Sequence, residues 1–257
     1  MHKQDILGVN VAAESFAGVL FAIREKLGQP ERSSAYICAT SVHGVVEAQT
    51  DNELKSILNN AFLNLPDGLP LVKVGKLLGA CRMEQVKGIE LLPKVCEMTA
   101  RMDVKHFFYG GNEGVAQELA RGMQARFPGL KVAGCYSPPF RPLNASEKVE
   151  IAAMINTSGA DIVWVGLSTP KQEKWIGEMH RELDVKLLFS VGAAFDFQTG
   201  RLKFTPPLFH RLGLEWLYRL MLEPKRLWRR YLNIVPYFLA KSGMQLLKTL
   251  FVTHKEN

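Results

Sequence analysis

The sequence lacks the patterns that mark metal or redox chemistry. Its four cysteines form no C-x-x-C pair, so we expect four reduced thiols without a chemical role. No D-x-D triplet, H-E-x-x-H motif or G-x-x-x-x-G-K-[ST] loop occurs, which argues against a metal site and a nucleotide-hydrolysing motor. We therefore expect neither a metal nor a cofactor.

Long apolar runs are missing as well. The longest strongly apolar stretch without charge near the C-terminus, 231–240, spans ten residues and contains Pro236, so it is too short to cross a bilayer. The same region holds the basic excess. Residues 201–257 contain 11 Lys or Arg against 3 Asp or Glu, whereas residues 1–200 are nearly balanced. This asymmetry predicts contact with an anionic surface or ligand.

Short β-branched and aromatic runs alternate with helix-like stretches between residues 33 and 200, and glycines follow several of the runs. This repetition is typical of βαβ units. It predicts an α/β fold with a Rossmann-like, mostly parallel sheet and helices on both faces, over 1–200. Three helix-like stretches, 208–222, 224–235 and 236–252, predict a helical appendage over 201–257.

Two glycine turns follow predicted strands and open predicted helices, a geometry that suits a phosphate. The first is Gly110-Gly111-Asn112, although an unliganded tight turn would look the same. The second begins at Gly166 and carries Gln172 and Glu173 at a helix start, where they read a uracil or sugar hydroxyls, or only cap the helix.

Three further turns carry candidate residues. Asp67 lies in a Pro-Asp-Gly-Leu-Pro segment, which by itself favours a turn over a general base. Thr40 ends the first clear strand, where its hydroxyl is able to orient a substrate, and we interpret His43 as structural. Gly192 and Asp196 follow the last predicted strand and either line the same cleft or serve helix packing.

The appendage interleaves aromatic residues with arginines. Arg226, Arg229 and Arg230 fall within about one helical turn, with Arg219 on the preceding stretch. Such arginines suit a pyrophosphate or anionic lipid headgroups. A helix that packs its aromatics and solvates its arginines is the alternative, and the concentration of net charge favours a function.

Three blocks together resemble the WecG/TagA/CpsF family, glycosyltransferase family 26. They are a G-x-x-x-P-x-Q-E-x-W block at 166–175, Val-Gly-Ala-Ala-Phe-Asp at 191–196, and Leu-Gly-Leu-Glu-Trp-Leu-Tyr-Arg at 212–219 with the Arg-rich block at 223–232. The likeness covers about residues 35–235. It implies an inverting, metal-independent transferase that moves a sugar from a UDP-sugar to a polyprenyl-pyrophosphate-linked saccharide.

The resemblance also implies roles and a location. Asp67 would be the catalytic base, Thr40 would help to place a substrate, and Gln172 would contact it. Arg219, Arg226 and Arg229 would neutralise pyrophosphate. The appendage would bind anionic lipid at the cytoplasmic face of the bacterial inner membrane and complete the active site. The sequence does not decide whether the protein is a homo-oligomer.

Departures from the family pattern keep the donor open. Many members have E-R-V-x-G-x-D where this chain has Gln85 and Glu90, so both an N-acetylmannosamine donor and a glucose donor stay as hypotheses. The main rival is a non-catalytic nucleotide-binding scaffold of a polysaccharide-assembly complex. The missing G-x-G-x-x-G at the first strand argues against a nicotinamide-dependent oxidoreductase, and the leucine-rich tail favours a bilayer over nucleic acid.

Overall fold

The structure is a computed structural model that describes residues 1–206, 208–209 and 213–253. The strands in chain order are β1 (Lys3–Ile6), β2 (Val9–Ala12), β3 (Ala35–Thr40), β4 (Leu63–Pro66), β5 (Lys105–Gly110), β6 (Lys131–Tyr136), β7 (Ile162–Gly166) and β8 (Leu187–Ser190). The helices are α1 (Phe16–Gly28), α2 (Val42–Glu47), α3 (Asn52–Asn60), α4 (Leu69–Leu77), α5 (Gly88–Thr99), α6 (Val115–Arg126), α7 (Ala145–Ser158), α8 (Lys171–Met179), α9 (Ala194–Gln198), α10 (Glu215–Leu222) and α11 (Pro224–Thr253).

Six strands form one parallel sheet in the order β4-β3-β8-β7-β5-β6, and β1 pairs with β2 in a separate antiparallel hairpin. Because βαβ crossovers place helices over both faces, a parallel sheet is buried on both sides and its strands are apolar throughout. The strand β7 shows this, since all five of its residues are buried. The predicted fold class, a Rossmann-like parallel sheet, is confirmed.

Alternate residues of each strand supply two separate cores. Along β7, Val163 and Val165 point to the face covered by the hairpin and by α2, α3, α4, α7 and α8. Trp164 points to the opposite face, which α1, α5, α6 and α9 cover. This alternation follows from the two-residue period of a strand.

The run 44–62 has the apolar spacing of one continuous helix, and the prediction of such a helix is wrong in its extent. Asp51 ends that run and caps a new helix, α3, by accepting a hydrogen bond from the backbone N–H of Leu54 at 2.9 Å. The chain then enters β4, a strand that the sequence did not reveal. Asn144 precedes the helix-like stretch 145–157, which predicts a helix cap, and its side chain confirms this by accepting from the Glu147 N–H in a complete capping box.

The break predicted at Pro236 is also wrong. The helix α11 runs through it for 30 residues. A proline inside a helix costs about 3 kcal/mol, and burial offsets that cost here, since Leu227, Ile234 and Phe238 lie on one face and are almost fully buried. Phe238 belongs to the same core as the sheet, and Gln245 accepts a hydrogen bond from the backbone N–H of Leu7 in the hairpin.

Candidate functional site

The chain reverses its winding direction between β5 and β7. It leaves β5 toward the edge strand β6, and it leaves β7 in the opposite direction toward β8. In open α/β sheets the crevice outside the carboxyl ends of such strands is where ligands bind. The two glycine turns that the sequence singled out, at Gly110 and Gly166, meet at this crevice.

These two turns are in direct backbone contact. Gly110 pairs with Gly166 in the sheet, and the Gly111 N–H donates to the Gly166 carbonyl at 2.9 Å. A Cβ on Gly110 would lie 2.5 Å from that carbonyl oxygen, and the φ of Gly110 is +129°. Only glycine fits there, because a side chain would clash and would strain the backbone. The turns therefore form a fixed floor of main-chain atoms.

Asn112 lies on the solvent side of this floor and is exposed. The Ser137 hydroxyl, at the end of β6, approaches the carbonyls of Gly110 and Asn112 at 3.1 and 3.0 Å. Gly114 follows with φ +82° and caps α6. The N-terminus of α6 thus faces the crevice, where a helix favours negative charge.

Asp67 follows β4 and is held from three sides. Its N–H donates to the Thr40 carbonyl at 2.9 Å, and its Oδ1 accepts from the Gly88 N–H at the start of α5 at 2.9 Å. Its own carbonyl accepts from the Gln85 amide at 2.7 Å. The structure therefore does more than place Asp67 in a turn, because the carboxyl group has a fixed direction at the carboxyl edge of the sheet.

The electrostatic surroundings of Asp67 suit a proton acceptor. Burial raises the pKa of this carboxyl group to about 6, and the charge of Glu215 adds to the rise, while the Gly88 N–H, Lys87 and Arg219 oppose it. A base whose pKa lies just below the working pH is mostly ionised and still binds a proton well. Two of the charges involved belong to α10, in the predicted appendage.

Thr40 does not present its hydroxyl to the cleft. The side chain is 2% exposed and its Oγ1 is hydrogen-bonded to Asn64 in the neighbouring strand. The expectation that this hydroxyl touches substrate is therefore corrected. Through its carbonyl, Thr40 instead supports the backbone of Asp67.

Gln172 and Glu173 are likewise buried, at 2% and 1% exposure. The Gln172 side chain accepts from the Gly192 N–H at 2.9 Å and donates to Glu173 Oε1 at 2.9 Å. Thr169 donates to the same oxygen at 3.1 Å. Direct reading of a uracil or sugar by these two side chains does not fit their burial. They join the turn after β7 to the turn after β8.

Asp196 lies on the short helix α9, half-buried. Burial raises the pKa of its carboxyl group and Arg201 opposes the rise. Gly192, at the turn before α9, follows Val191, and a Cβ on Gly88 would lie 3.1 Å from the Val191 carbonyl oxygen. The Asp67 segment and the turn after β8 are thus packed against each other.

The C-terminal helices approach this edge through α10. Lys87, almost fully buried, forms an ion pair with Glu215 at 2.6 Å. Arg219, one turn further along α10, lies over the ring of Phe197 with 5.5 Å between Cζ and the ring centroid. A Cβ on Gly213 would be 3.4 Å from Leu69 at the start of α4. The helix α10 therefore lies beside Asp67.

The arginines of α11 separate into different environments. Arg230 is hydrogen-bonded to Nδ1 of His43 at the start of α2, and burial with this neighbouring charge lowers the pKa of His43 to about 4. A neutral His43 accepts from Arg230 and donates from Nε2 to Glu47, as its structural interpretation expected. Arg229 is exposed beside Trp228. The predicted contact of Arg226 falls on a side chain outside the described part of the chain.

Sequence reasoning did not select Lys87, Glu215 or Asn64. Glu215 stands inside a block that carries the resemblance and Lys87 inside the segment that departs from the family pattern, yet 128 residues separate them, so no local pattern pairs them. The signal available was a polar or charged residue next to Asp67 or within an apolar run, as for Asn64 in β4, which is fully buried.

Among the described residues, no group of three or more His, Cys, Asp or Glu side chains is arranged to hold a metal ion. Within the same residues, the helices are all too short or too polar to cross a membrane.

Fold and site together define an α/β protein with a carboxyl group of raised pKa and two glycine turns at the carboxyl edge of a parallel sheet. The sequence profile of the glycosyl transferase WecG/TagA/CpsF family matches residues 4–251. The chain belongs to this family, which confirms the resemblance stated above, and the family is one of glycosyltransferases.

Curated relatives share one name, N-acetylglucosaminyldiphosphoundecaprenol N-acetyl-beta-D-mannosaminyltransferase. The protein from Bacillus spizizenii is 31% identical over 210 residues, which cover 82% of this chain and 79% of the relative. The protein from Bacillus subtilis is 27% identical over 210 residues, covering 82% and 80%. The protein from Staphylococcus aureus strain MRSA252 is 26% identical over 239 residues, covering 93% and 91%.

Proposed function

We propose that this protein transfers a sugar from a UDP-sugar to a saccharide carried on polyprenyl pyrophosphate, with inversion and without a metal ion. The observation that carries the proposal is Asp67, a directed carboxyl group of raised pKa at the edge where this fold binds ligands. The names of the relatives support the lipid-linked acceptor. The polymer assembled would be a bacterial exopolysaccharide or another cell-surface polymer.

The reaction is a single displacement. The acceptor hydroxyl oxygen attacks the anomeric carbon while Asp67 takes its proton, and the bond from that carbon to the phosphate oxygen of UDP breaks. One displacement on one face inverts the anomeric configuration. UDP leaves with its negative charge, which Arg219 and the N-terminus of α6 would stabilise in place of a divalent cation.

The donor would lie along the carboxyl edge. Its uridine diphosphate would occupy the crevice between Gly110-Gly111-Asn112 and Gly166, and its sugar would point toward Asp67. The strands β4 and β7 are three positions apart in the sheet, a distance of about 14 Å at about 4.8 Å per strand. An extended nucleotide-sugar is the kind of ligand that reaches across such a span.

The donor sugar is proposed to be of the N-acetylmannosamine or the glucose type. The relatives' name favours the first. The replacement of the usual arginine by Gln85 favours a changed donor, because the Gln85 amide binds the Asp67 carbonyl at 2.7 Å and so lies beside the reacting group.

We further propose that α11 binds the cytoplasmic face of the inner membrane peripherally. Trp228, Leu232, Leu239 and Leu250 are exposed, at 46% to 66%, and their spacing places them on one face. Lys225, Arg229 and Lys241 are exposed on the same helix. Apolar side chains with flanking cations suit an anionic bilayer surface, where a lipid-linked acceptor is concentrated.

The test measures UDP release from a panel of UDP-sugars with a polyprenyl-pyrophosphate saccharide acceptor and EDTA present. We expect release with one donor, and a fall of about 10²- to 10⁴-fold in Asp67→Asn, the range that general-base catalysis contributes. Asp103→Asn makes the same chemical change at an exposed aspartate and should leave the rate unchanged. Full activity of Asp67→Asn would exclude the base assignment.

A second outcome separates the two function classes. If UDP binds and no donor is turned over, the non-catalytic scaffold explains the result and the transferase proposal fails for these acceptors. If a donor is turned over, chromatographic or NMR assignment of the product anomer decides inversion, since a retained configuration contradicts a single displacement.

A further inference from the structure

The segment from Gln85 to Gly88 surrounds Asp67 and also contacts the C-terminal helices. Gln85 binds the carbonyl of Asp67 and Gly88 binds its carboxylate. Between them, the backbone N–H of Val86 donates to the Pro66 carbonyl at 3.0 Å. The remaining residue, Lys87, turns its side chain away from this ladder and toward α10.

Glu215 receives that side chain. The distance from Lys87 Nζ to Glu215 Oε1 is 2.6 Å, whereas Glu90, also near the ammonium group, is 3.7 Å away and more exposed. Lys87 is 7% exposed, so its charge is largely removed from water and depends on a partner. Breaking one side of a buried pair is costly because the other charge stays behind.

The pair stands next to the carboxyl group whose charge matters. Within the described part of the chain, the charged groups that act on Asp67 are Lys87, which precedes α5, and Glu215 and Arg219, which lie on α10. Glu215 disfavours the ionised carboxylate, and the two cations favour it. If α10 moved away, both its charges would leave and Lys87 would lose the carboxylate that lies 2.6 Å from its ammonium group.

We propose that Lys87 and Glu215 form a link through which the C-terminal helices position Asp67 and set its charge surroundings. Both are positioning residues, not catalytic ones, since they act through Asp67 and the Gln85–Gly88 segment. The link couples the docking of α10 to the site. As a part of the proposed transfer reaction it rests on the proposed function, but its effect on Asp67 is measurable without turnover.

The experiment follows the Asp67 carboxyl group by ¹³C NMR titration in protein labelled at aspartate, for Glu215→Gln, Lys87→Met and the double variant. We expect the midpoint to fall in Glu215→Gln and to rise in Lys87→Met, each by about 0.5 to 1 pH unit, with partial cancellation in the double variant. Lys94→Met and Glu97→Gln alter an exposed ion pair on α5, with Nζ and Oε2 2.9 Å apart. These control variants should not shift the Asp67 midpoint.

Amide hydrogen exchange of residues 215–222 provides the second readout. Exchange should become faster in both single variants and stay unchanged in the Lys94 and Glu97 controls, while Lys87→Arg and Glu215→Asp should restore slow exchange in part. Faster exchange with no shift of the Asp67 midpoint would mean that the pair only holds α10, and would overturn the proposal. Unchanged exchange together with an unchanged midpoint would also overturn it.

The two proposals fail differently. If the wild type turns over no donor but the Asp67 midpoint shifts in opposite directions in the two variants, the transferase function is wrong and the positioning link stands. If the enzyme is active and the acid limb of its kcat/KM profile does not follow the NMR midpoints, Asp67 is not the base. If the enzyme is active but the Asp67 titration midpoint does not shift in the Lys87 and Glu215 variants, the positioning link is wrong and the transferase function stands.

Discussion

The β4 side of the carboxyl edge differs from the β5–β7 side in what it presents to a ligand. Around Asp67, side chains from distant segments bring two cations and a second carboxylate to one carboxyl group. Around Gly110 and Gly166, the groups presented to a ligand are main-chain atoms and a helix N-terminus. We call the region around Asp67 the charged side and the region around Gly110 and Gly166 the glycine side. The charged side suits a group whose charge changes during the reaction, whereas the glycine side suits a ligand of constant charge, such as a phosphate.

The glycine side should be the less tolerant of substitution. Gly110→Ala would place a Cβ 2.5 Å from the Gly166 carbonyl oxygen at φ +129°, so either the turn or the strand pairing must shift. We expect the free energy of unfolding to fall by about 2 to 4 kcal/mol, measured by urea denaturation.

Gly122→Ala is the matched control for this change. Gly122 lies exposed inside α6 with no atom within 4 Å of a Cβ, so alanine should stabilise by about 0.5 to 1 kcal/mol. Equal stability of Gly110→Ala and wild type would show that the two turns do not form a fixed floor.

The sequence predicted the glycine side better than the charged side. Gly110 and Gly166 each follow a buried strand and precede a helix, so both signals are local and the parallel sheet brings them together. The sequence pattern did not predict the strand β4, because it has only four residues and includes a buried Asn64 and a Pro66. The hairpin and α1, before residue 33, were not predicted at all.

The charged side depends on contacts far apart in the chain. Residue spacing alone predicts a turn at Asp67, and the family resemblance predicts that Asp67 is a catalytic base. Nothing in the spacing predicts that Lys87 meets Glu215 or that Arg230 meets His43. Hydroxyl and amide groups at strand ends suggested substrate contact for Thr40 and Gln172, but burial turned them inward, and burial depends on packing that a local pattern does not contain.

The strand β5, which ends at the glycine side, carries a buried histidine at its other end, and this His106 should respond to pH in the opposite way to Asp67. This residue of β5 is fully buried, where its Nδ1 accepts from the Trp164 indole at 3.0 Å. Its Nε2 lies 2.9 Å from the Thr99 hydroxyl, which itself bonds the Val95 carbonyl, so the ring is neutral. Burial lowers the pKa of His106 to about 3.

A lowered histidine pKa removes stability as the pH falls. The unfolded chain binds a proton near pH 6.5 and the native state does not, so between pH 6.5 and 5 the wild type should lose about 2 kcal/mol relative to His106→Gln. Urea denaturation of both proteins at pH 8, 6.5 and 5 measures the difference. A constant difference across this range would contradict the neutral buried ring.

Asp67 should show the reverse sign. Its folded pKa of about 6 lies above the ordinary value of 3.8, so the native state holds its proton more tightly and stability is lost as the pH rises through 6. Asp67→Asn removes that loss. Because the group is partly exposed and Asn keeps a weaker bond to Gly88, we expect a gain of about 1 to 2 kcal/mol at pH 8.

The gain should vanish at pH 4, where the wild-type carboxyl group is protonated in the native state. Thermal unfolding at both pH values tests this, with Asp103→Asn as the control that gains nothing. A variant that is inactive and also more stable would show that the charged side trades stability for function. A loss of stability at pH 8 would mean that the Gly88 N–H, Lys87 and Arg219 stabilise the ionised carboxylate more than burial destabilises it.

The smallest expected effects separate two adjacent arginines of α11. Arg230 is half-buried against His43, whereas Arg229 is exposed beside Trp228. Arg230→Gln should lower the free energy of unfolding by about 1 kcal/mol and Arg229→Gln should not change it. Arg229→Gln should instead weaken binding to vesicles containing anionic lipid about fivefold, since each cation near such a surface contributes about 1 kcal/mol.

Vesicle sedimentation at low and high salt measures the binding, and denaturation measures the stability, so the same loss of charge is read in both assays. Binding that weakens equally in both variants would mean that net charge alone directs the protein to the surface. Binding that weakens only in Arg230→Gln would place the membrane contact at the α2 side, next to the catalytic edge, and would move the acceptor's approach to the charged side of the site.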